Sequence, residues 1–315
     1  MARIPDAEQT PRGPAYEGRL LDRPDEEVVD QGAPFDVRTL ITRRGILGLV
    51  GVGLGTAALA ACAPLSSAGT TSTATPTSSG SAAPGSASGT LPAGEIPDET
   101  AGPYPGDGSN GPDVLAQSGI VRSNLRTSIG SSTAVEGVPL TFTLRVTDMA
   151  NGDAPFAGVA VYAWHCDAQG RYSMYSEGVE NETWLRGVQV ADANGQVTFT
   201  SVVPGCYTGR WPHIHFEVYP SADDIADAGN AIATSQLALP EAPLTDVYAL
   251  TAYDGSARNL SQVTLSSDNV FGDDGGALQI ATVTGDTTSG YTATLAVRVD
   301  TTTTPSAGQA PGGRR

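Results

Sequence analysis

The chain has 315 residues, a formal net charge of −17 and no lysine. Such an acidic surface repels nucleic acid and other polyanions, which excludes a nucleic-acid-binding module. Aromatic residues make up only 6%, while 38 glycines and 22 prolines imply many turns; no long amphipathic helical pattern runs through the chain, so the composition predicts an all-β domain with flexible ends.

In chain order, Thr42-Arg43-Arg44-Gly45-Ile46-Leu47 resembles a twin-arginine export motif. An apolar run rich in glycine and alanine follows at 45–61, short for a membrane span and suited to a signal segment. It ends in Leu59-Ala60-Ala61-Cys62, which resembles a lipoprotein processing box with Cys62 as the lipidated N-terminus; an uncleaved anchor or a cut elsewhere is the alternative. Residues 1–62 are therefore expected to be a signal region of an exported or surface-anchored protein. Residues 63–92 are Ser, Thr, Ala, Gly and Pro, cannot bury a core, and read as a disordered tether; residues 301–315 read as a disordered tail. That leaves 93–300 for the folded domain.

Within it, 95–112 is turn-rich and is expected to wrap the domain. Residues 138–148 alternate, with Leu140, Phe142, Leu144 and Val146 on one face and Thr141, Thr143 and Arg145 on the other, as in a half-buried strand. Residues 158–166 are apolar on both faces, as in a central strand. Asn194-Gly195 is a hairpin signal ahead of a strand at 196–203. Further strands are expected at 213–219, 245–250, 277–283 and 291–299, with a polar stretch of about one helical turn over 221–229. Short strands punctuated by turns predict a β-sandwich.

Two stretches carry chemistry. Val161-Tyr-Ala-Trp-His-Cys-Asp-Ala-Gln-Gly-Arg-Tyr172 reads as a strand, a turn and a tyrosine. Pro204-Gly-Cys-Tyr-Thr-Gly-Arg-Trp-Pro-His-Ile-His-Phe216 reads as a turn with Tyr207, then a strand. On that strand His213 and His215 project to one face, and Ile214 and Phe216 to the other. Convergent imidazoles are half of a metal site, and Tyr207 lies within reach of them.

Together, the Trp-bearing strand, the Asp-Ala-x-Gly-x-Tyr turn, the Pro-Gly-x-Tyr turn and the Arg-x-x-His-x-His strand resemble the intradiol ring-cleavage dioxygenases, the catechol and protocatechuate dioxygenases. The resemblance runs from about residue 95 to 300 and includes Gly102-Pro-Tyr-Pro105 and the segment 137–144. It implies a β-sandwich that holds Fe(3+) through Tyr172, Tyr207, His213 and His215 and cleaves a catechol-type substrate with O2 to a muconate-type diacid. Phenolate is a hard anionic donor that favours a trivalent ion, and imidazole suits iron as well. By the same resemblance Tyr207 is the displaceable ligand and takes a substrate proton, and Arg210 stabilises charge on the ring carbon. Gln236, in Thr234-Ser-Gln-Leu-Ala238, is a looser match to a glutamine beside the site.

Other readings compete. A non-catalytic exported β-sandwich could bind aromatic or wall material, and a zinc or copper site could use His165, His213 and His215. His165 reads better as structural, Trp164 and Trp211 as core or pocket wall, and Tyr104 as pocket lining or loop packing. Cys166 and Cys206 flank the tyrosine turns and are either bridged or two small buried thiols. A carboxylated substrate would need a second cation, for which Arg122, Arg126 and Arg186 are candidates.

Overall fold

The computed structural model describes residues 91–306, together with the backbone of three short antiparallel strands, β1 (Glu8–Thr10), β2 (Gly13–Tyr16) and β3 (Arg19–Leu20). The export motif, Cys62, residues 63–90 of the tether and the last residues of the tail lie outside the described residues. Among the described residues no helix is long and apolar enough to cross a membrane.

Two sheets make the domain. One is built on β4 (Pro139–Asp148), whose partners are β12 (Gly290–Val299) in parallel and β5 (Ala154–Pro155) and β8 (Gln196–Val202) antiparallel; β11 (Thr282–Asp286) extends it beyond β12. The other has the order β10 (Ala233–Ala238), β9 (His213–Tyr219), β6 (Ala160–Trp164), β7 (Arg186–Val190), all antiparallel.

The period-2 pattern decides what meets across the sandwich. Leu140, Phe142, Leu144 and Val146 of β4 and Ala293, Leu295, Val297 and Val299 of β12 point inward. They meet Val161 and Ala163 of β6 and Ile214, Phe216 and Val218 of β9 in one core. Phe142 and Phe199 stack within it, centroids 5.0 Å apart.

The second sheet is covered on its outer face too, which is why every residue of β6, β9 and β10 is buried. There Ala160, Tyr162, Trp164 and Tyr219 pack under Val114, Leu115, Ile120, Tyr172 and Tyr175, contributed by the irregular segments that precede β4 and follow β6. His213 and His215 lie on this covered face.

The expected strands at 138–148, 158–166, 196–203, 213–219 and 291–299 are present within a residue or two. Three expectations need correction. Residues 245–248 of the strand expected at 245–250 belong instead to helix α1 (Glu241–Tyr248): it starts just after Pro240, and the buried Leu244, Val247 and Tyr248 follow helical spacing. The strand expected at 277–283 starts only at Thr282, after turns at 274–280. The Asn194-Gly195 turn forms, with Asp192 Oδ1 accepting from the N–H groups of Asn194 and Gln196, but it joins strands of different sheets. β8 pairs with β4, matching Phe199 to Phe142 and Val197 to Leu144.

Candidate metal centre

The tyrosine turns are built by local hydrogen bonding and then tied together. Asp167 closes the first: its Oδ1 accepts from Gln169 N and Arg171 N, its Oδ2 pairs with the Arg171 guanidinium at 2.7 Å, and Gly170 takes a φ of +82°. This sets Tyr172 inward and buried. The second turn passes Gly205, whose N–H donates to Asp167 O at 2.9 Å. Gly170 faces Tyr207 so closely that a Cβ there would lie 3.1 Å from Tyr207 Cβ. The turns thus pack backbone to backbone, which fixes the separation of their phenols.

The phenols and imidazoles meet. Tyr172 Oη lies 3.4 Å from Tyr207 Oη, Tyr207 Oη 3.3 Å from His213 Nε2, and His213 Nε2 3.1 Å from His215 Nε2. Donors about 2.0–2.1 Å from a common ion, at tetrahedral to octahedral angles, stand about 2.9–3.4 Å apart. All of these separations fall in that range. The tautomer fits as well: His213 Nδ1–H donates to Trp211 O at 2.5 Å, which leaves the Nε2 lone pair facing the other donors. Burial, with Arg210 adding to it, holds His213 down at about 3, and burial with His213 beside it holds His215 well below the usual range, so both rings are neutral, as ligands must be. Burial, with Tyr207 next to it, keeps the Tyr172 phenol protonated far above its usual range, a balance that a bound cation inverts. Among the described residues no cluster of three or more His, Cys, Asp or Glu side chains could hold a metal. The mixed phenol–imidazole set is the candidate, and its hard anionic oxygens suit a trivalent ion.

Around it, Arg210 is buried, with Nη1 3.5 Å from His213 Nε2. Its Nη2 donates to Gln236 Oε1 at 2.6 Å, so the loosely matched Gln236 does join the site; its own Nε2 donates to Thr100 O at 3.0 Å. Arg210 Nε donates to Asp268 Oδ2 at 3.0 Å. Asp268 was not legible in the sequence: the run Ser266-Ser-Asp-Asn269 signals a turn and nothing more. Trp164 stacks on His215 at 4.8 Å with rings nearly parallel, and forms a wall. Tyr104 packs against Tyr172 with ring centroids 4.8 Å apart and tilted by 33°, and Gly102 lies against His215, so the 102–104 segment covers the donors. Trp211 is buried, its Nε1 donating to Leu239 O.

His165 points away from this set. Its Nδ1 bonds to Cys166 O and its Nε2 to Ser201 Oγ, both at 2.7 Å, which removes the three-histidine zinc or copper site. Cys166 and Cys206 are buried free thiols, not a bridge; their Sγ atoms donate to Gly205 O and Arg210 O. Arg122 and Arg186 are not substrate cations. Arg122 binds the carbonyls of Thr127, Thr183 and Arg186. Arg186 binds Tyr104 O, Pro105 O and both Ser173 oxygens, bracing the Tyr172 segment against the 104–105 segment.

Residues 110–217 match the family model described as Dioxygenase, a span that includes all four donors and Arg210 but neither Gln236 nor Asp268. No curated protein matches the chain. Among solved structures, the fold is similar to that of an intradiol ring-cleavage dioxygenase from Tetranychus urticae, at 24% identity and a TM-score of 0.52, over 67% of this chain and 96% of that one. The dioxygenase domain of a dioxygenase carbohydrate-binding protein fusion from Streptomyces sp. SirexAA-E matches at 25% identity and a TM-score of 0.43, over 66% of this chain and 99% of that one. Catechol 1,2-dioxygenase from Pseudomonas arvilla C-1 matches at 21% identity and a TM-score of 0.39, over 65% and 64%.

Proposed function

We propose that the chain is a non-haem iron(III) intradiol dioxygenase that opens the ring of a catechol-type substrate with O2 between its hydroxylated carbons, giving a muconate-type diacid. The observation that carries this reading is the meeting of two phenol oxygens and two imidazole nitrogens, each 3.1–3.4 Å from the next, beside a buried arginine. The dioxygenase model matched over 110–217 and the β-sandwich fold support it. Residues 42–62 add the proposal that the enzyme is exported and anchored through Cys62.

Tyr172, Tyr207, His213 and His215 would hold the iron, which supplies Lewis acidity that draws in both catechol oxygens and opens the ring to O2. The protein side of the chemistry divides among the same residues. Tyr172, His213 and His215 are buried, whereas Tyr207 is only partly so, which makes Tyr207 the phenol that a substrate can reach. Its Oη, which would be a phenolate when the ion is bound, would accept the proton of a substrate hydroxyl. Arg210 Nη1, aimed past His213 Nε2, stabilises negative charge that grows on the reacting ring. Gln236 anchors the other end of that guanidinium. Trp164, against His215, and Tyr104, against Tyr172, exclude water.

The test is optical. Phenolate bound to iron(III) absorbs visible light, so iron-loaded protein should be red-brown, and both Tyr172→Phe and Tyr207→Phe should weaken the band. An unchanged spectrum in both variants would remove the phenols from the site.

A further inference from the structure

Among the described residues Arg210 is the cation that reaches a donor, its Nη1 3.5 Å from His213 Nε2, and a guanidinium on a flexible stem does not aim itself. The side chain is gripped at two points. Nη2 meets Gln236 Oε1 at 2.6 Å, and Nε meets Asp268 Oδ2 at 3.0 Å, which leaves Nη1 as the corner that faces His213. Asp268 is only 2% exposed. Its Oδ2 also accepts from Trp211 N at 2.6 Å, so one carboxylate oxygen holds the side chain of Arg210 and the backbone just after it. Its Oδ1 accepts from Val270 N at 2.8 Å and Phe271 N at 3.1 Å. The carboxylate is thereby fixed by its own turn, and it fixes Arg210 in turn. Phe271, on that same turn, sets its ring edge-on to His213 at 6.4 Å. Burial disfavours charge on both partners, yet their attraction outweighs it: Arg210 is held above its ordinary range and Asp268 below. The pair is therefore ionised and satisfied by hydrogen bonds, the circumstance in which a buried ion pair holds its geometry.

We propose that Asp268 is a positioning residue for the dioxygenase reaction: held by its own turn, it orients the Arg210 guanidinium so that Nη1 faces the reacting ring carbon. It hydrogen-bonds to none of the four donors, and it reaches the reaction through Arg210, gripping both its guanidinium and the backbone N–H that follows it. Since a guanidinium displaced by about 1 Å loses most of its effect on a developing charge, Asp268→Asn should lower kcat by roughly 10- to 100-fold and leave KM nearly unchanged, because the substrate oxygens would be held by the iron rather than by Arg210.

The experiment is a cycle of four proteins, wild type, Asp268→Asn, Arg210→Ala and the double variant, assayed with catechol in the presence and absence of low-millimolar guanidinium chloride. Three results are expected. Asp268→Asn lowers kcat; the double variant is no slower than Arg210→Ala; and added guanidinium partly restores Arg210→Ala but not the double variant, which lacks the carboxylate that would seat it. Thermal melts of the same four proteins without metal should show strong non-additivity, because either single change strands a buried charge. Should Arg210→Ala not fold, Asp268→Glu, which keeps the charge on a longer arm, should retain the visible iron band and still lower kcat. Wild-type kcat in Asp268→Asn, additive losses, or equal guanidinium rescue with and without Asp268 would each overturn the proposal. It rests on the dioxygenase reading. A wild type that turns over no catechol refutes that reading and this inference with it, whereas an active wild type matched by Asp268→Asn refutes this inference alone.

Discussion

Gly205→Ala tests the idea that backbone contact between the two tyrosine turns sets the metal site. A methyl group at 205 would lie 2.5 Å from Ala168 O, 2.9 Å from Ala168 C and 3.0 Å from Asp167 O. Ordinary contact begins near 3.4 Å, so the carbonyl of Ala168 must retreat by roughly 0.9 Å. All three atoms are backbone, and no side chain can swing aside. The displacement works directly against the Gly205 N–Asp167 O bond that joins the turns. Overpacking of this kind costs about 1–3 kcal/mol, or about 2–12 °C in melting temperature for a domain of this size. The site should suffer more than the fold, since the Tyr172 and Tyr207 oxygens ride on the two turns being forced apart. Gly178→Ala is the control: Gly178 has a φ of +79° but nothing within 4 Å of an added Cβ, so it carries backbone strain without the wedge. Thermal melts and iron titration followed by visible absorption should show Gly205→Ala losing both stability and the iron band, and Gly178→Ala losing about 1–2 kcal/mol of stability with the band intact. A Gly205→Ala protein that binds iron with an unchanged band would refute the reasoning.

Other outcomes follow from the same geometry. Arg210→Ala should retain catechol binding, seen as a shift of the iron band, while kcat falls roughly 10²- to 10³-fold; Arg210→Lys should recover only part, and full-speed turnover in Arg210→Ala would take Arg210 out of the reaction. Burial, partly offset by the Cys166 carbonyl, holds His165 down at about 4 from an ordinary 6.5. The unfolded chain protonates it below about 6.5 and the folded protein does not until about 4, so its contribution is present above 6.5 and lost as pH falls, by about 1.4 kcal/mol per pH unit in that window. The melting advantage of wild type over His165→Gln should therefore shrink from pH 7 to pH 4, and a constant difference would contradict it. Burial pushes the Cys166 thiol well above its ordinary range and Cys206 up to about 12, so neither should react with a maleimide in the folded protein and both should after unfolding; a Cys166–Cys206 linked peptide in unreduced digests would contradict the free thiols.

What the sequence disclosed was local and periodic. The alternation through β4 and β12 announced both strands and the faces they bury. The i, i+2 spacing of His213 and His215 put two imidazoles on one side of β9 with no tertiary information. Tyr172 and Tyr207 were legible as donors through the resemblance of their two turns to those of the intradiol dioxygenases, at 167–172 and 204–207. What stayed hidden depends on distant pairing. The Asn194-Gly195 turn forms as its residues dictate, but which sheet each arm enters is decided by Phe142 and Phe199 stacking across β4 and β8. Residues 245–250 read as a strand because Thr245 and Val247 favour one, while burial of Leu244, Val247 and Tyr248 on a single helical face overrides that preference. Asp268 lies 58 positions from Arg210, and only folding brings its carboxylate to the guanidinium. Arg122 and Arg186 looked available as substrate cations because a sequence does not show which carbonyls will consume their donors.

The most direct test of the account is the product formed when iron-loaded protein meets catechol in air-saturated buffer. Two phenols and two imidazoles around iron(III), with Arg210 beside the ring, predict cleavage between the hydroxylated carbons, so the product should be a cis,cis-muconate-type diacid carrying both atoms of labelled O2. A yellow semialdehyde, formed by cleavage outside the two hydroxyls, would contradict the account, and so would recovery of unreacted catechol from protein that has bound iron.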